Sequence, residues 1–233
     1  MRPDERHARR SRTKAVIFDF DGVIVESADI KTQAFLDLFA EYPQHRARIL
    51  RHHLDNLGIS RFRKFDWIYS ELLRRPLSAG EKERLGSAFS GLVLNKVLTC
   101  ELVPGALASL EALRAANCTL FVASGTPQEE LEIIIERRGL GSFFAEIWGT
   151  PTTKVEIISS ILSRFQLDTM EVVLVGDGLS DFSAASEAGI PFIARDNGTG
   201  DVDWHSMGIE PIADLRTLLE KSGIGELAVE NRS

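Results

Sequence analysis

Five short apolar runs set the architecture of this chain. AVIFDF (15–20), TLFVAS (119–124), AEIWG (145–149), VVLVGD (172–177) and PFIA (191–194) are rich in β-branched and aromatic residues and bounded by turn signals. Most are apolar on both faces, the pattern of strands buried on both sides of a sheet. Helical patterns separate them: GALASLEALRAAN (105–117), TPQEELEIIIERRG (126–139), KVEIISSILSRF (154–165) and SDFSAASEAG (180–189). In the second of these, Thr126 is read as N-cap, Pro127 as the first helical residue, Glu129 as the capping-box partner and Gly139 as the stop. This alternation predicts an α/β fold, a doubly wound parallel sheet with helices on both faces.

One region breaks the alternation. Residues 28–99 carry no convincing strand and read as helices over DIKTQAFLDLFAEY, RARILRHHLDNLG, RFRKFDWIYSELLRR and SAGEKERLGSAFSGLVLNKVL. ELVPG (101–105) reads as the linker returning to the sheet. The expected organisation is a basic leader at 1–13, an α/β core from 14–27 and 100–233, and a helical cap at 28–99.

The composition, 44% hydrophobic and 26% charged, belongs to a soluble globular chain. No apolar run reaches the roughly 18 residues of a membrane span, and no apolar stretch follows the basic start as in a signal peptide. The net charge is −7, although the first 14 residues hold six basic side chains against two acidic ones. The rest of the chain is therefore more acidic still, which argues against a nucleic-acid partner. Cys100 and Cys118 form neither a disulfide framework nor a metal-ligand spacing, and read as thiols in a reducing cytoplasm.

The chemistry gathers at the carboxyl ends of the expected strands, the edge where open α/β sheets bind ligands. Asp19-Phe20-Asp21-Gly22 closes the first strand and Ser124-Gly125 the second. Lys154 follows the third, and Asp177-Gly178-Leu179-Ser180-Asp181 the fourth. Singly, such residues are caps, turns or solvated side chains. Together they put four acids, a lysine and a serine on one rim. Asp19, Asp21 and Asp177 would repel one another without a cation, and a hard divalent ion such as Mg²⁺ suits their oxygens. Asp181 can complete that shell directly or through water. The lysine, the hydroxyl and exposed backbone N–H groups suit a phosphate.

The order and spacing of FDFDGVIVES, VASG, Lys154 and GDGLSD resemble the four motifs of the haloacid dehalogenase superfamily, in the subgroup with a helical cap after the first motif. The resemblance spans about residues 14–200 and implies a Rossmann-like core. The look is that of the phosphoglycolate phosphatase and β-phosphoglucomutase types. Two departures stand out: Val155 replaces the proline that often follows the motif lysine, and Glu26 stands where many members have Asp.

The resemblance implies a Mg²⁺-dependent phosphatase acting on a small phosphorylated metabolite, with a sugar phosphate preferred. Asp19 would be the nucleophile that forms an aspartyl-phosphate, and Asp21 the general acid and then base. Asp19, Asp177, Asp181 and the backbone carbonyl of Asp21 would hold the ion. Ser124, Gly125 and Lys154 would hold phosphate oxygens. In the cap, Arg61 and Lys64 are candidate substrate contacts, set against an amphipathic helix whose basic residues face water. His52 and His53 read as solvated helix residues. The alternatives are a phosphomutase, which would need a bisphosphorylated activator, and a non-catalytic phosphate-binding module.

Overall fold

The structure, a computed structural model, describes residues 13–199 and 202–222. In chain order its main elements are β1 (Ala15–Phe18), α1 (Ala28–Leu38), α2 (Arg46–Asp55), α3 (Arg61–Trp67), α4 (Ala79–Thr99), α5 (Ala106–Ala115) and β2 (Thr119–Pro127). Then follow α6 (Gln128–Arg137), β3 (Glu146–Thr150), α7 (Lys154–Arg164), β4 (Val172–Gly176), α8 (Leu179–Ala188), β5 (Phe192–Ala194) and α9 (Leu218–Lys221). All strand pairs are parallel and the sheet order is β3-β2-β1-β4-β5. This is the doubly wound sheet expected from the alternation.

The pleat divides the core in two. Val16 and Phe18 of β1 join Leu120, Val122, Val173 and Val175 on one face, beneath α5 and α6. Ala15 and Ile17 join Phe121, Ala123 and Leu174 on the other, beneath Ile157 and Ile161 of α7 and Ala184 of α8. Successive residues of a strand point to opposite faces, so a strand covered on both sides reads as an unbroken apolar run.

β1 is central, paired with β2 on one edge and β4 on the other, with Ala15 level with both Thr119 and Val172. The winding reverses there. That reversal opens a crevice beyond the carboxyl ends of β1 and β4, where such sheets bind ligands.

Helices α1 to α4 occupy the stretch between β1 and α5, and α3 runs on into a π-helical turn at Ile68–Leu73. Their shared interior centres on Phe35, whose ring lies 5.7 Å from that of Phe65 and 4.7 Å from that of Phe89. The two crossings back to the sheet run side by side. Glu26 N–H donates to Glu101 O at 3.0 Å, and Val103 N–H donates to Ile24 O at 3.0 Å.

Two details differ from the sequence reading. β2 continues through Thr126, so Pro127 rather than Thr126 is the N-cap of α6. Thr13, assigned to the leader, has a local anchor: its hydroxyl donates to Ser222 O at 2.9 Å. The rest of that leader, residues 1–12, lies outside the described residues, as do 200–201 and 223–233. Among the described residues no helix is long and apolar enough to cross a membrane.

Candidate active site

β1 ends at Phe18 and β4 at Gly176, so the next residue of each, Asp19 and Asp177, emerges into the crevice. Asp19 N–H still donates to Val175 O at 2.9 Å, which ties the two strand ends together. Lys154 is the first residue of α7, set there by a capping box in which Thr153 and Glu156 exchange hydrogen bonds. Asp181 lies in the first turn of α8, where its Oδ2 accepts from Gly178 N–H at 3.2 Å. Four chain segments thus deliver four buried ionisable side chains to one place.

Each of Asp19, Asp177 and Asp181 offers a carboxylate oxygen within 4.8 Å of the others. Lys154 Nζ lies 2.9 Å from Asp19 Oδ2 and also pairs with Asp181 Oδ1. Asp19 Oδ1 accepts from Phe20 N–H at 2.6 Å. Burial drives the Asp19 pKa up; Lys154 opposes this, Asp181 and Asp21 add to it, and the result is about 7. Burial and the neighbouring Asp19 and Asp181 carboxylates hold Asp177 well above the usual carboxylate range. Lys154 is raised as well, which keeps it charged: burial disfavours its charge, but Asp181 and Asp19 outweigh burial. Three buried carboxylates with one ammonium leave surplus negative charge in low dielectric, and an all-oxygen cluster of this kind fits a hard divalent cation.

The first loop is packed to the limit around this cluster. Gly22 has φ +76°, and a Cβ there would lie 2.1 Å from Asp177 Oδ2. Only glycine satisfies both demands. Arg195 braces the loop from behind, donating to Gly22 O at 2.5 Å and bidentately to Glu26 at 2.7 and 3.1 Å. Glu26, the departure from the family pattern, is thus the carboxylate that holds Arg195.

Asp21 has different neighbours. Its carboxylate accepts from Ser27 Oγ at 2.7 Å and Thr126 Oγ1 at 2.8 Å, and pairs with Lys31 Nζ. Burial alone would raise its pKa, but the Lys31 charge and these donors prevail and lower it. Ser124 Oγ lies 3.4 Å from Asp21 Oδ2 and accepts from Thr126 N–H at 3.1 Å.

The helical insertion closes over these groups. Its Leu57-Gly58-Ile59 turn sits on the rim, fixed by Ser180 Oγ donating to Leu57 O at 2.6 Å. A Cβ on Gly125 would come within 2.5 Å of Gly58 O, and one on Gly178 within 2.7 Å of Leu57 O. The core glycines therefore make room for the turn. Between the layers lies a cavity of about 50 Å³, with Asp19, Asp21 and Asp177 on one side and His53, Arg61 and Lys64 on the other.

Arg61 and Lys64 are buried, as is His53, while Arg63 is exposed. The alternative in which the basic residues of α3 face water holds for Arg63 alone. Arg61 is engaged: its guanidinium binds Glu130 of α6 bidentately at 2.6 and 3.0 Å and Ser90 Oγ at 2.8 Å. Lys64 Nζ lies 3.0 Å from His53 Nδ1 and 5.2 Å from the centre of the Phe35 ring. The expectation of solvated histidines fails for both. His53 is 4% exposed, and half-buried His52 stacks on Trp67 with ring centres 3.7 Å apart.

The sequence reading does not single out Lys31, Glu130, Arg195 and Asn197, and takes Thr126 only as a helix cap. Asn197, whose Nδ2 donates to Asp177 Oδ2 at 2.6 Å, and Arg195 follow β5. They stand on the same carboxyl rim as the motifs, and that placement was the available signal. Lys31 and Glu130 lie on helices and carry no local mark.

Residues 16–195 match the family model described as haloacid dehalogenase-like hydrolase. The chain belongs to that family. It is 27% identical over 191 residues to the phosphoglycolate phosphatase of Synechococcus elongatus, covering 81% of this chain and 86% of the relative. It is 25% identical over 213 residues to that of Rhodospirillum rubrum, covering 88% and 85%. The crystal structure of β-phosphoglucomutase from Clostridium difficile shares the fold, with a TM-score of 0.71 at 16% identity over 93% of this chain and 99% of that one. The family hydrolase is therefore an enzyme built on the doubly wound core expected from its strands.

Proposed function

We propose that this chain is a Mg²⁺-dependent phosphatase that hydrolyses a small phosphorylated metabolite through an aspartyl-phosphate on Asp19. The observation that carries the reading is the convergence of Asp19, Asp177 and Asp181 within 4.8 Å, with Lys154 Nζ 2.9 Å from Asp19. Such a site has the charges that phosphoryl transfer needs, fixed before the substrate arrives.

The ion, held by Asp19, Asp177 and Asp181, would neutralise phosphate charge and lower the barrier to attack. The Asp19 carboxylate attacks phosphorus as the ester P–O bond breaks. Lys154, Ser124 and the Gly125 N–H bind the phosphate oxygens. Asp21 gives its proton to the departing alkoxide, then takes one from the water that releases phosphate from Asp19. Lys31 and Thr126 aim the Asp21 carboxylate. In the free site they keep it ionised, ready for the base step. An arriving phosphate dianion raises its proton affinity for the acid step.

In this reading residues 28–99 are a cap that excludes water from a core formed by 14–27 and 100–233, and the setting is a reducing cytoplasm. The relatives named phosphoglycolate phosphatase favour a compact substrate over a sugar phosphate. The test is phosphate release from a panel of phosphate esters with Mg²⁺ and with EDTA. Release from a compact ester that stops in EDTA supports the reading. Turnover that appears only with a bisphosphorylated activator, without net phosphate release, replaces it with a phosphomutase.

A further inference from the structure

Of the four acids in the site, Asp177 is held differently from the rest. Asp19 and Asp181 pair with Lys154, and Asp21 pairs with Lys31. Asp177 is buried, yet no cation among the described residues lies within ion-pair distance of it. Its hydrogen-bond donor is neutral: Asn197 Nδ2 donates to Asp177 Oδ2 at 2.6 Å. Asp177 is thus the acid whose charge nothing in the chain offsets, and a buried charge of that kind needs a cation from outside. A lysine in the place of Asn197 would neutralise the carboxylate and compete with an ion. An amide fixes the carboxylate and leaves its charge for the ion.

The other end of the amide sets its orientation. Asn197 Oδ1 accepts from Thr199 N–H at 2.8 Å, so the oxygen is committed to the backbone and the NH₂ group faces Asp177. Asn197 belongs to a segment, residues 195–199, that follows β5 on the carboxyl rim. Buried Arg195 anchors that segment. Its guanidinium donates to Gly22 O at 2.5 Å, to both oxygens of Glu26, and to Ala213 O at 3.2 Å. Its backbone N–H donates to Gly176 O, next to Asp177, at 2.8 Å. Asp196 N–H is tied to Ile212 O at 2.9 Å. These bonds hold Asn197 in the gap between the first loop and Asp177, where a Cβ on Gly22 would lie 2.9 Å from Asn197 Nδ2. Carboxylates that ligate metals are oriented in this way by hydrogen bonds from residues behind them.

We propose that Asn197 is a positioning residue for the ion: it fixes the Asp177 carboxylate in the rotation that the ion needs, and the segment anchored by Arg195 is a working part of the site. This inference rests on the reading of the acid cluster as the Mg²⁺ site of a phosphatase, and names a source of the ion's affinity outside the four motifs.

The test is isothermal titration calorimetry of Mg²⁺ alone into full-length protein freed of EDTA, at pH 8.5, so the readout is ion affinity and not turnover. Asn197→Leu keeps the side-chain shape and removes the donor, and the Mg²⁺ dissociation constant should rise about 10- to 100-fold. Asn197→Gln, which returns an amide, should recover part of the loss. Asn197→Ala serves if the leucine variant does not fold. The control is Asp196→Ala. Asp196 is exposed and its Oδ1 accepts from Gly198 N–H at 2.9 Å, so this variant loosens the same segment without touching Asp177. Its ion affinity should stay within about twofold of wild type. An unchanged dissociation constant in the Asn197 variants overturns the assignment, as does an equal loss in Asp196→Ala, which would make the effect one of loop order. Wild-type protein that binds Mg²⁺ but releases no phosphate from any ester would end the phosphatase reading and leave this assignment standing. Wild-type protein that binds no Mg²⁺ would end both.

Discussion

Ion binding by the acid cluster should stabilise the fold in a pH-dependent way whose size can be worked out. The perturbation is Mg²⁺ added to protein stripped with EDTA, at pH 8.5 and at pH 5.5. Free Mg²⁺ at 100 times its dissociation constant, bound to the folded state alone, adds about 2.7 kcal/mol. At about 2–4 °C per kcal/mol for a chain of this size, the melting midpoint should rise by about 5–11 °C at pH 8.5. Metal binding needs the ligands deprotonated. At pH 5.5, about 1.5 units below the Asp19 pKa of about 7, roughly 3% of molecules have Asp19 ionised. The apparent dissociation constant then rises at least about thirtyfold, because the raised Asp177 must lose its proton too, and the same Mg²⁺ adds at most about 0.9 kcal/mol, or about 2–4 °C. His53 and Lys64 also change stability with pH; neither belongs to the acid cluster, and the part of their effect that does not depend on the ion drops out of the difference between Mg²⁺ and EDTA. Differential scanning calorimetry reads all four conditions. Asp177→Asn should remove the shift at both pH values. A shift of equal size at pH 5.5 and 8.5, or one that survives in Asp177→Asn, would refute the assignment of these carboxylates to the ion.

Three further outcomes are expected. Glu130→Gln strips the buried Arg61 of its carboxylate, at a cost of about 3–5 kcal/mol in urea unfolding, whereas Arg61→Met with Glu130→Leu should regain most of that loss. Lys64→Met should raise the melting midpoint at pH 6.5. Burial and Lys31 lower the Lys64 pKa from 10.5 to about 7, so the charge costs stability below that value and the cost fades as pH rises through the window; the variant's advantage should shrink toward pH 10 in calorimetry. Gly125→Ala puts a methyl group 2.5 Å from Gly58 O, so the cap turn must shift, and steady-state kinetics should show a raised KM with little change in melting midpoint.

The sheet was legible because β1, β4 and most of β2 are buried on both faces and read as apolar runs. The observed β4, Val172–Gly176, falls one residue short of the expected span, and the helices of 28–99 follow their apolar periodicity. The motif residues were legible because strand ends fix their position in space before any side chain is placed. What escaped was non-local. Arg61 meets Glu130 across 69 residues, and nothing in either segment announces the other. Solvated was the natural reading for His53 and the basic residues of α3, because charge normally marks the outer face of a helix. Here two helices turn that face onto a cavity. Thr126 read as a helix cap because Thr-Pro before an apolar pattern usually is one, and the demand of Asp21 for a donor at 2.8 Å overrode that local preference.

The most direct test of the central claim compares phosphate release from 2-phosphoglycolate by wild-type and Asp19→Asn protein, each with Mg²⁺ and with EDTA, after calorimetry has shown both to be folded. The account predicts release by the wild type in Mg²⁺ alone and none above background from the variant in either condition. Steady-state release by pure Asp19→Asn protein would contradict it, because the nucleophile would then be a group other than Asp19.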